Sequence, residues 1–388
     1  MKKSHMDLII GFKFLLVLLL IGSSFFQNHQ PIQKDQDKNC NRRVSNSITA
    51  FKVMTYNIEE SGVNPDWKEV VKEENPNILV MIETGDWDED SGDGFSSDDF
   101  DNLVDELNSY FSNEDPYIGY TTQGIPYSTS GETILSRYPV ISTNQISNVL
   151  LDNGFSYYVS HDFFDVKVNI DGINVNIIAA HLKCCSGSAN EEKREKAQEG
   201  IINYMDSLGS VPIMYVGDLN SFSPQDTGNL APEGDLGYDP ITMLVNSDDP
   251  HASTIHTWID VYRLLNPTTP GHTYGHQNPI YSSRIDYIFV NQFFTKYLIN
   301  STTGDTSHAN TGSDHYSVDV FLRPLSTSPS SSSEASTTQS TVKSSSSING
   351  THDNTSGWSL FFFAGIIVSI LIKKRKFIKM TKNNKERI

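Results

Sequence analysis

The chain is poor in cysteine, with three in 388 residues, and its middle is poor in positive charge. Three cysteines cannot build the disulfide framework of a small secreted domain. Its 25 glycines follow no period, which removes collagen-like repeats, and the composition does not suit a coiled coil either. Between residues 51 and 325 stand 13 Lys and Arg against 41 Asp and Glu, a balance of −28 where the whole chain carries −18. A binding module that works by neutralising nucleic-acid phosphates needs clustered Lys and Arg, so that class is disfavoured. The missing positive charge lies at the ends, with +4 over residues 1–50 and +6 over 326–388.

Both ends read as addressing segments. In residues 1–27, Lys2 and Lys3 precede an apolar run from Leu8 to Phe26 that contains Gly22-Ser23-Ser24. This is the pattern of a signal peptide or, uncleaved, of an N-terminal anchor. Residues 28–50 are a linker. Residues 326–356 are dominated by Ser and Thr and predict a stalk that has no core to form. Residues 357–372 are free of charge and predict a short transmembrane segment, and 373–388 a basic cytoplasmic tail opening with Lys373-Lys374-Arg375-Lys376. The expectation is an extracytoplasmic protein, secreted or anchored at the cell surface through its C-terminal segment. Cys184 and Cys185 are adjacent, and a bridge between neighbours is strained. Free thiols, a vicinal disulfide and a pairing of one of them with Cys40 all remain open.

The 275 residues from 51 to 325 suffice for one large domain with a substantial core. Strand-like runs stand at 51–57, 77–83, 132–136, 157–170, 173–180, 212–217, 284–290 and 316–322, with helical spacing at 66–74, 100–111 and 191–207. Asp171-Gly172 between two of the strands is a hairpin signal, and hairpins require antiparallel pairing. The order therefore predicts two sheets packed face to face with helices outside, not a parallel Rossmann sheet.

Polar residues interrupt these apolar strands at their ends. Asn57 ends the first and Glu83 the second, and His181 follows Ile177-Ile178-Ala179-Ala180. Asp218 and Asn220 follow Met214-Tyr215-Val216-Gly217, Asp286 sits in Arg284-Ile285-Asp286-Tyr287-Ile288, and Asp314-His315 precedes the last strand. Strand ends on one edge of a layered sheet converge on a cleft, so these groups are expected to share a site. Carboxylates and a carboxamide without thiolate suit a hard cation, Mg²⁺ or Mn²⁺. Such a cation polarises phosphoryl oxygens, while a carboxylate beside an amide orients water and a His–Asp pair holds a phosphate oxygen or protonates a leaving group. Asp286, a carboxylate in an apolar strand, needs a partner, for which Arg284 and a histidine are the candidates.

The segments Thr55-Tyr56-Asn57-Ile58, Leu79-Val80-Met81-Ile82-Glu83, Gly131 to Pro139, Ala180-His181-Leu182-Lys183, Val216 to Asn220, Ser283 to Tyr287 and Gly312 to His315 carry a resemblance. In this order, over about 51–323, they resemble the endonuclease/exonuclease/phosphatase superfamily, which includes DNase I, exonuclease III, neutral sphingomyelinases and inositol-polyphosphate 5-phosphatases. The resemblance implies a four-layer α/β sandwich of the DNase I-like kind. It implies Glu83 as principal metal ligand with Asn57 and Asp314, Asn57 also at the substrate phosphate, Asp218 activating water, and Asn220 holding that water and a phosphate oxygen. His181 and His315 would contact the scissile phosphate, with His315 aligned by Asp286. Where nuclease members often carry Asp, this chain has Glu59, which puts a second-metal role there in doubt.

Two stretches fall outside that pattern. Residues 86–101 hold eight acidic side chains, and Asp86, Asp88 and Asp90 echo a Ca²⁺ loop, although the glycine is displaced to Gly92 and the twelfth position is Ser97. A Ca²⁺ loop and a solvated acidic loop are both open. Residues 222–256 are an insertion-like stretch rich in Gly, Pro and Asp. The expected activity is metal-dependent phosphodiester hydrolysis by a monomeric enzyme, with DNA or RNA as first substrate. A lipid, an inositol phosphate or a small phosphate ester is the alternative, and a non-catalytic surface protein a third class.

Overall fold

Strand Phe51–Asn57 (β1) and strand Ile78–Ile82 (β2) lie parallel, Val53 opposite Ile78 and Asn57 opposite Ile82. A parallel pair needs a crossover, and helix Trp67–Glu74 (α1) lies in it. Strands Ile118–Thr121 (β3) and Glu132–Ser136 (β4) add antiparallel neighbours on the β2 side. A second sheet contains Val140–Leu150 (β5), Ser156–Ile170 (β6), Ile173–His181 (β7), Ile213–Asp218 (β8), Trp258–Asp260 (β9) and Asp286–Asn291 (β10), in the spatial order β5-β6-β7-β8-β10-β9. Leu298–Thr303 (β11) and Val318–Leu322 (β12) return to the first sheet, giving it the order β11-β12-β1-β2-β4-β3. The hairpin at Asp171-Gly172 is present, both residues at positive φ as its tight turn demands. This computed structural model describes residues 50–87, 97–125, 128–275 and 282–325.

The sheets pack face to face through Val53, Val80 and Ile134 on one side and Val166, Ile177, Val216 and Ile288 on the other. Helix α1 and helix Ser97–Ser109 (α2) cover the outer face of the first sheet over Met54, Leu79 and Leu135, with Leu107 of α2 packed among them. Helix Ser188–Ser207 (α3) covers the second, its Ile201 and Met205 meeting Ile178 and Tyr215. The chain thus forms the four-layer α/β sandwich expected from its sequence. The signal or anchor, linker, stalk, transmembrane and tail segments lie outside the described residues, as do Asp88, Asp90 and the Asp86 side chain of the acidic loop. Among the described residues no helix is long and apolar enough to cross a membrane.

Two buried charge clusters fix the periphery. Arg284, 2% exposed, forks onto Asp226 and Asp260 with four N–H···O bonds of 2.7–3.0 Å. Arg263, in helix Val261–Leu265 (α4), adds a 2.8 Å bond to Asp226. These contacts staple the 222–256 stretch to β9 and the start of β10. They also correct one sequence candidate, because Arg284 serves Asp226 and Asp260 and not Asp286.

The second cluster has one ammonium for three carboxylates. Lys52 bonds the Glu74 carboxylate and main-chain oxygen and lies 3.9 Å from Asp319 Oδ1, with Asp305 alongside. Burial, opposed by Lys52 and helped by Asp305, pushes Glu74 up to about 7. Burial and then Glu74 raise Asp319 well above the usual carboxyl range. Acids of this kind hold protons in the folded chain that the unfolded chain has released, so their stabilisation fades as pH rises from the ordinary carboxyl value through the folded one. Asp319→Asn, which removes one ionisation, is expected to melt increasingly above wild type as pH goes from 4.5 to 8. A melting-temperature difference that stays constant or shrinks over that range would contradict this account.

Candidate active site

The two parallel strand pairs explain why the site exists. β1 and β2 end together at Asn57 and Ile82-Glu83, and β7 and β8 end together with His181 opposite Asp218. Both pairs deliver their C-terminal ends to the same edge of the sandwich, where an open α/β arrangement leaves a crevice. Asp286 opens β10 directly opposite Asp218. The turn before β12 adds Asp314 and His315. Close approach of β7 and β8 depends on Gly217, at φ 136°, where a Cβ would stand 2.0 Å from the Ala180 carbonyl oxygen.

The side chains form one network. Asn57 is fully buried, and its amide donates to Glu83 Oε1 at 3.0 Å and to Asp218 Oδ2 at 3.2 Å. Asp218 Oδ1 accepts the Asn220 main-chain N–H at 2.9 Å, and Asn220 Nδ2 donates to the Leu182 carbonyl at 3.1 Å. His181 Nε2 stands 3.9 Å from Glu83 Oε1 and 3.8 Å from Asp218 Oδ2. His315 Nδ1 and Asp286 Oδ2 share a 2.8 Å hydrogen bond, and His315 Nε2 lies 3.8 Å from Asp218 and 3.9 Å from Asp314 Oδ1. All eight residues read from the sequence therefore meet: Asn57, Glu83, His181, Asp218, Asn220, Asp286, Asp314 and His315. Glu59 joins them, its carboxylate accepting the Asp314 main-chain N–H at 3.2 Å.

The two histidines are held in opposite charge states. Burial opposes a charge on His315, but Asp286, Asp218 and Asp314 outweigh it and raise its pKa to about 10. His181 is lowered to about 3 by burial, then by the positive charges of His315 and Lys183. At neutral pH the site thus presents an imidazolium and a neutral imidazole on either side of Asp218. Burial and Asp286 raise Asp218 itself, and burial and Asp314 raise Glu59.

The donor set fits a hard divalent cation. It consists of carboxylate and carboxamide oxygens with imidazole nitrogen and no sulfur. Asp218, Asp286 and His315 also place ligand atoms within 4.8 Å of one another, but there the imidazolium of His315, bonded to Asp286, stands where a cation would. Buried Asp286 Oδ1 and His181 Nδ1 have no hydrogen-bond partner.

Backbone strain is concentrated here. Glu59, Glu60 and Ser61 are left-handed in succession at φ 58°, 44° and 60°, facing Glu83 at 66°, with Asn220 at 44°. Non-glycine residues rarely take these angles, and such outliers gather at functional sites. The Glu60 N–H donates to Glu83 Oε2 at 3.0 Å and the Ser61 N–H to the Glu83 carbonyl at 2.8 Å, which holds the turn.

Three neighbours carried no sequence signal. His161 packs against His181 with ring centroids 4.3 Å apart and planes tilted by 51°, and burial followed by His181 lowers its pKa to about 2. It interrupts the alternation of β6 without a motif around it. Tyr274 lies over His315 at 4.9 Å. Thr273 Oγ1 accepts the main-chain N–H groups of Ile285 and Asp286, both at 3.1 Å, and so fixes the start of β10.

No family model matches the chain, and no curated protein matches it. Solved structures do. An endonuclease/exonuclease/phosphatase from Beutenbergia cavernae is 19% identical, with 71% of this chain and 72% of that one covered and a TM-score of 0.46. An AP endonuclease from Archaeoglobus fulgidus is 16% identical over 70% of this chain and 99% of that one, with a TM-score of 0.49. An endonuclease/exonuclease/phosphatase family protein from Leptotrichia buccalis is 15% identical over 71% and 100%, also at 0.49. The likeness is one of chain path, and no side-chain role follows from it.

Proposed function

We propose that this chain is a divalent-metal-dependent phosphoester hydrolase, acting as a phosphodiesterase on DNA or RNA outside the cytoplasm. The observation that carries the reading is the row Asp286–His315–Asp218–His181, in which Asp218 stands 3.8 Å from both imidazoles, one charged and one neutral. Glu83, Asn57 and Asp314 would hold Mg²⁺ or Mn²⁺. When bound, the cation supplies polarisation of the phosphoryl oxygens and neutralises charge that builds on them.

The chain's own residues do the rest. His315, kept protonated by Asp286, is a cationic donor for an oxygen of a phosphate lying against it. Asp218 accepts a proton from a water placed between it and the phosphorus; the Asn220 N–H holds Oδ1, and Oδ2, which also accepts the Asn57 amide, lies between the two imidazoles. His181 stays neutral, so a phosphate oxygen can approach the carboxylates beside it without displacing an ion pair. The terminal apolar segments support the extracytoplasmic setting.

One observation favours a second substrate class, a lipid or small phosphate ester. The −28 charge of residues 51–325, with Glu59, Glu60 and Asp314 around the site, opposes a long polyanion. Purified full-length chain should be offered plasmid DNA, RNA, sphingomyelin vesicles and inositol phosphates with Mg²⁺ or Mn²⁺, and again with excess EDTA. Metal-dependent cleavage of DNA or RNA, abolished by EDTA, is expected. Intact nucleic acid beside a hydrolysed lipid or small ester would move the substrate to the second class. Absence of any cleavage under every metal would overturn the hydrolase reading.

A further inference from the structure

The loop that leaves the site after His181 carries two adjacent cysteines. Cys185 is exposed and Cys184 half-buried, and their sulfurs lie 2.8 Å apart. Neighbouring side chains on an extended strand point to opposite faces. Here Cys185 is left-handed, at φ 74°, and the sulfurs come to the same side. The conformation is held from behind by Arg194, 1% exposed, whose Nη1 donates to the Lys183 carbonyl at 2.7 Å and to the Cys185 carbonyl at 2.8 Å. Lys183 Nζ lies 3.5 Å from Cys184 Sγ. The near end of the loop belongs to the site, since the Leu182 N–H donates to the Asp218 carbonyl and the Leu182 carbonyl receives Asn220 Nδ2.

We propose that Cys184 and Cys185 form a redox modification site, a vicinal dithiol that hydrogen peroxide closes into a disulfide and that thereby resets the loop entering the catalytic cleft. Cys184, with an ammonium on its sulfur, is the attacking group. Its sulfur bonds one peroxide oxygen as the O–O bond breaks, and the departing hydroxide leaves as water with the thiol proton. The product at Cys184 is a sulfenic acid. The Cys185 sulfur then attacks that sulfur. The S–S bond forms, the S–O bond breaks, and the hydroxyl leaves as a second water with the Cys185 proton. Two thiols lose two electrons and the peroxide gains them.

The product is strained and therefore readily reduced. Adjacent α-carbons are about 3.8 Å apart across a trans peptide, whereas disulfides favour about 4.4–6.8 Å. Strained, exposed bridges are the labile, regulatory kind. Closing the ring turns the 184–185 peptide, which lies between the Lys183 and Cys185 carbonyls that Arg194 holds, and so disturbs that grip and loosens Lys183 and Leu182. Displacements of about 1 Å at a catalytic centre cost up to about 10²-fold in rate.

The test uses full-length chain treated with hydrogen peroxide. Unreduced trypsin digests yield a peptide of residues 184–193 that holds both cysteines and no third. Its mass is expected to fall by about 2 Da, two hydrogens, and to recover with dithiothreitol. Unchanged mass, a gain of oxygens, or a cross-link to the peptide bearing Cys40 would overturn the site. Hydrogen exchange over residues 181–194 is expected to quicken on oxidation in the wild type and not in Cys184→Ser/Cys185→Ser. A bridged loop exchanging at the reduced rate would overturn the coupling to the cleft. Neither readout uses catalysis, so this inference and the hydrolase reading fail separately. Where cleavage is measurable, oxidation is expected to slow it about tenfold or more, reversibly.

Discussion

Asp218→Ala is expected to lower metal-dependent phosphoester cleavage by about 10³-fold while leaving the far-ultraviolet spectrum of the folded chain in place. The size follows from what meets at that carboxylate. It accepts from Asn57 and from Asn220, it lies at equal distance from His181 and His315, and it faces Asp286 across the β8–β10 ladder. No other described side chain touches both imidazoles and both amides, so no neighbour can take its place as proton acceptor. Asp218→Asn separates charge from shape. It keeps the bond from the Asn220 N–H but cannot accept a proton, and its rate should fall nearly as far. Initial rates at saturating substrate and metal, with a melting curve for each variant, check the expectation. A variant retaining about a tenth of wild-type turnover would remove Asp218 from the proton-accepting role.

Arg284→Met is expected to be the most destabilising single change away from the site. The guanidinium is enclosed and satisfies both oxygens of Asp226 and both of Asp260. Removing it leaves Asp260 buried without its cation and Asp226 with Arg263 alone. Breaking a buried pair from one side costs about 3–5 kcal/mol, because the remaining charge stays out of water. For a domain of this size that corresponds to a fall of roughly 10 °C in melting temperature. Adding Asp226→Asn and Asp260→Asn to the variant should return part of the loss, since neutral amides need no counter-ion. A single variant melting within about 2 °C of wild type would show that the fork is not what staples the 222–256 stretch.

The strands that could be read from the sequence differ physically from those that could not. The eight recognised runs became β1, β2, β4, β6, β7, β8, β10 and β12, each with a neighbour on both sides. The four unrecognised strands, β3, β5, β9 and β11, are the four sheet edges. Interior strands must be apolar to be buried, and their runs announce them. Edge strands meet solvent along one side, and β5, with the sequence Val-Ile-Ser-Thr-Asn-Gln-Ile-Ser-Asn-Val-Leu, is polar enough to read as a loop.

The site divides in the same way. Asn57, Glu83, His181 and Asp218 were legible because each breaks an apolar run where its strand ends. Asp286 was legible as a residue, but its pairing with His315 followed from the resemblance alone, since nothing local distinguishes Arg284 as a partner from His315, 29 positions away. His161, Tyr274 and Asp226 were silent. Each acquires its role only when distant segments pack together, and spacing along the chain does not encode that.

Glu83 has a consequence for how this protein can vary. Three consecutive left-handed residues cost roughly 1–2 kcal/mol apiece, and in the Glu59–Ser61 turn one glutamate holds two of the three main-chain N–H groups, those of Glu60 and Ser61, through a carboxylate oxygen and its own carbonyl. The other carboxylate oxygen faces Asn57 and the cleft. Most acids of the site could be exchanged at the expense of chemistry alone, and a lineage that abandoned catalysis could let them drift. Position 83 is different, because aspartate is one methylene too short to span from its strand end to the turn and glutamine would turn a donor toward one of the two amides. Drift there is checked by selection for a folded chain even where selection for turnover has lapsed.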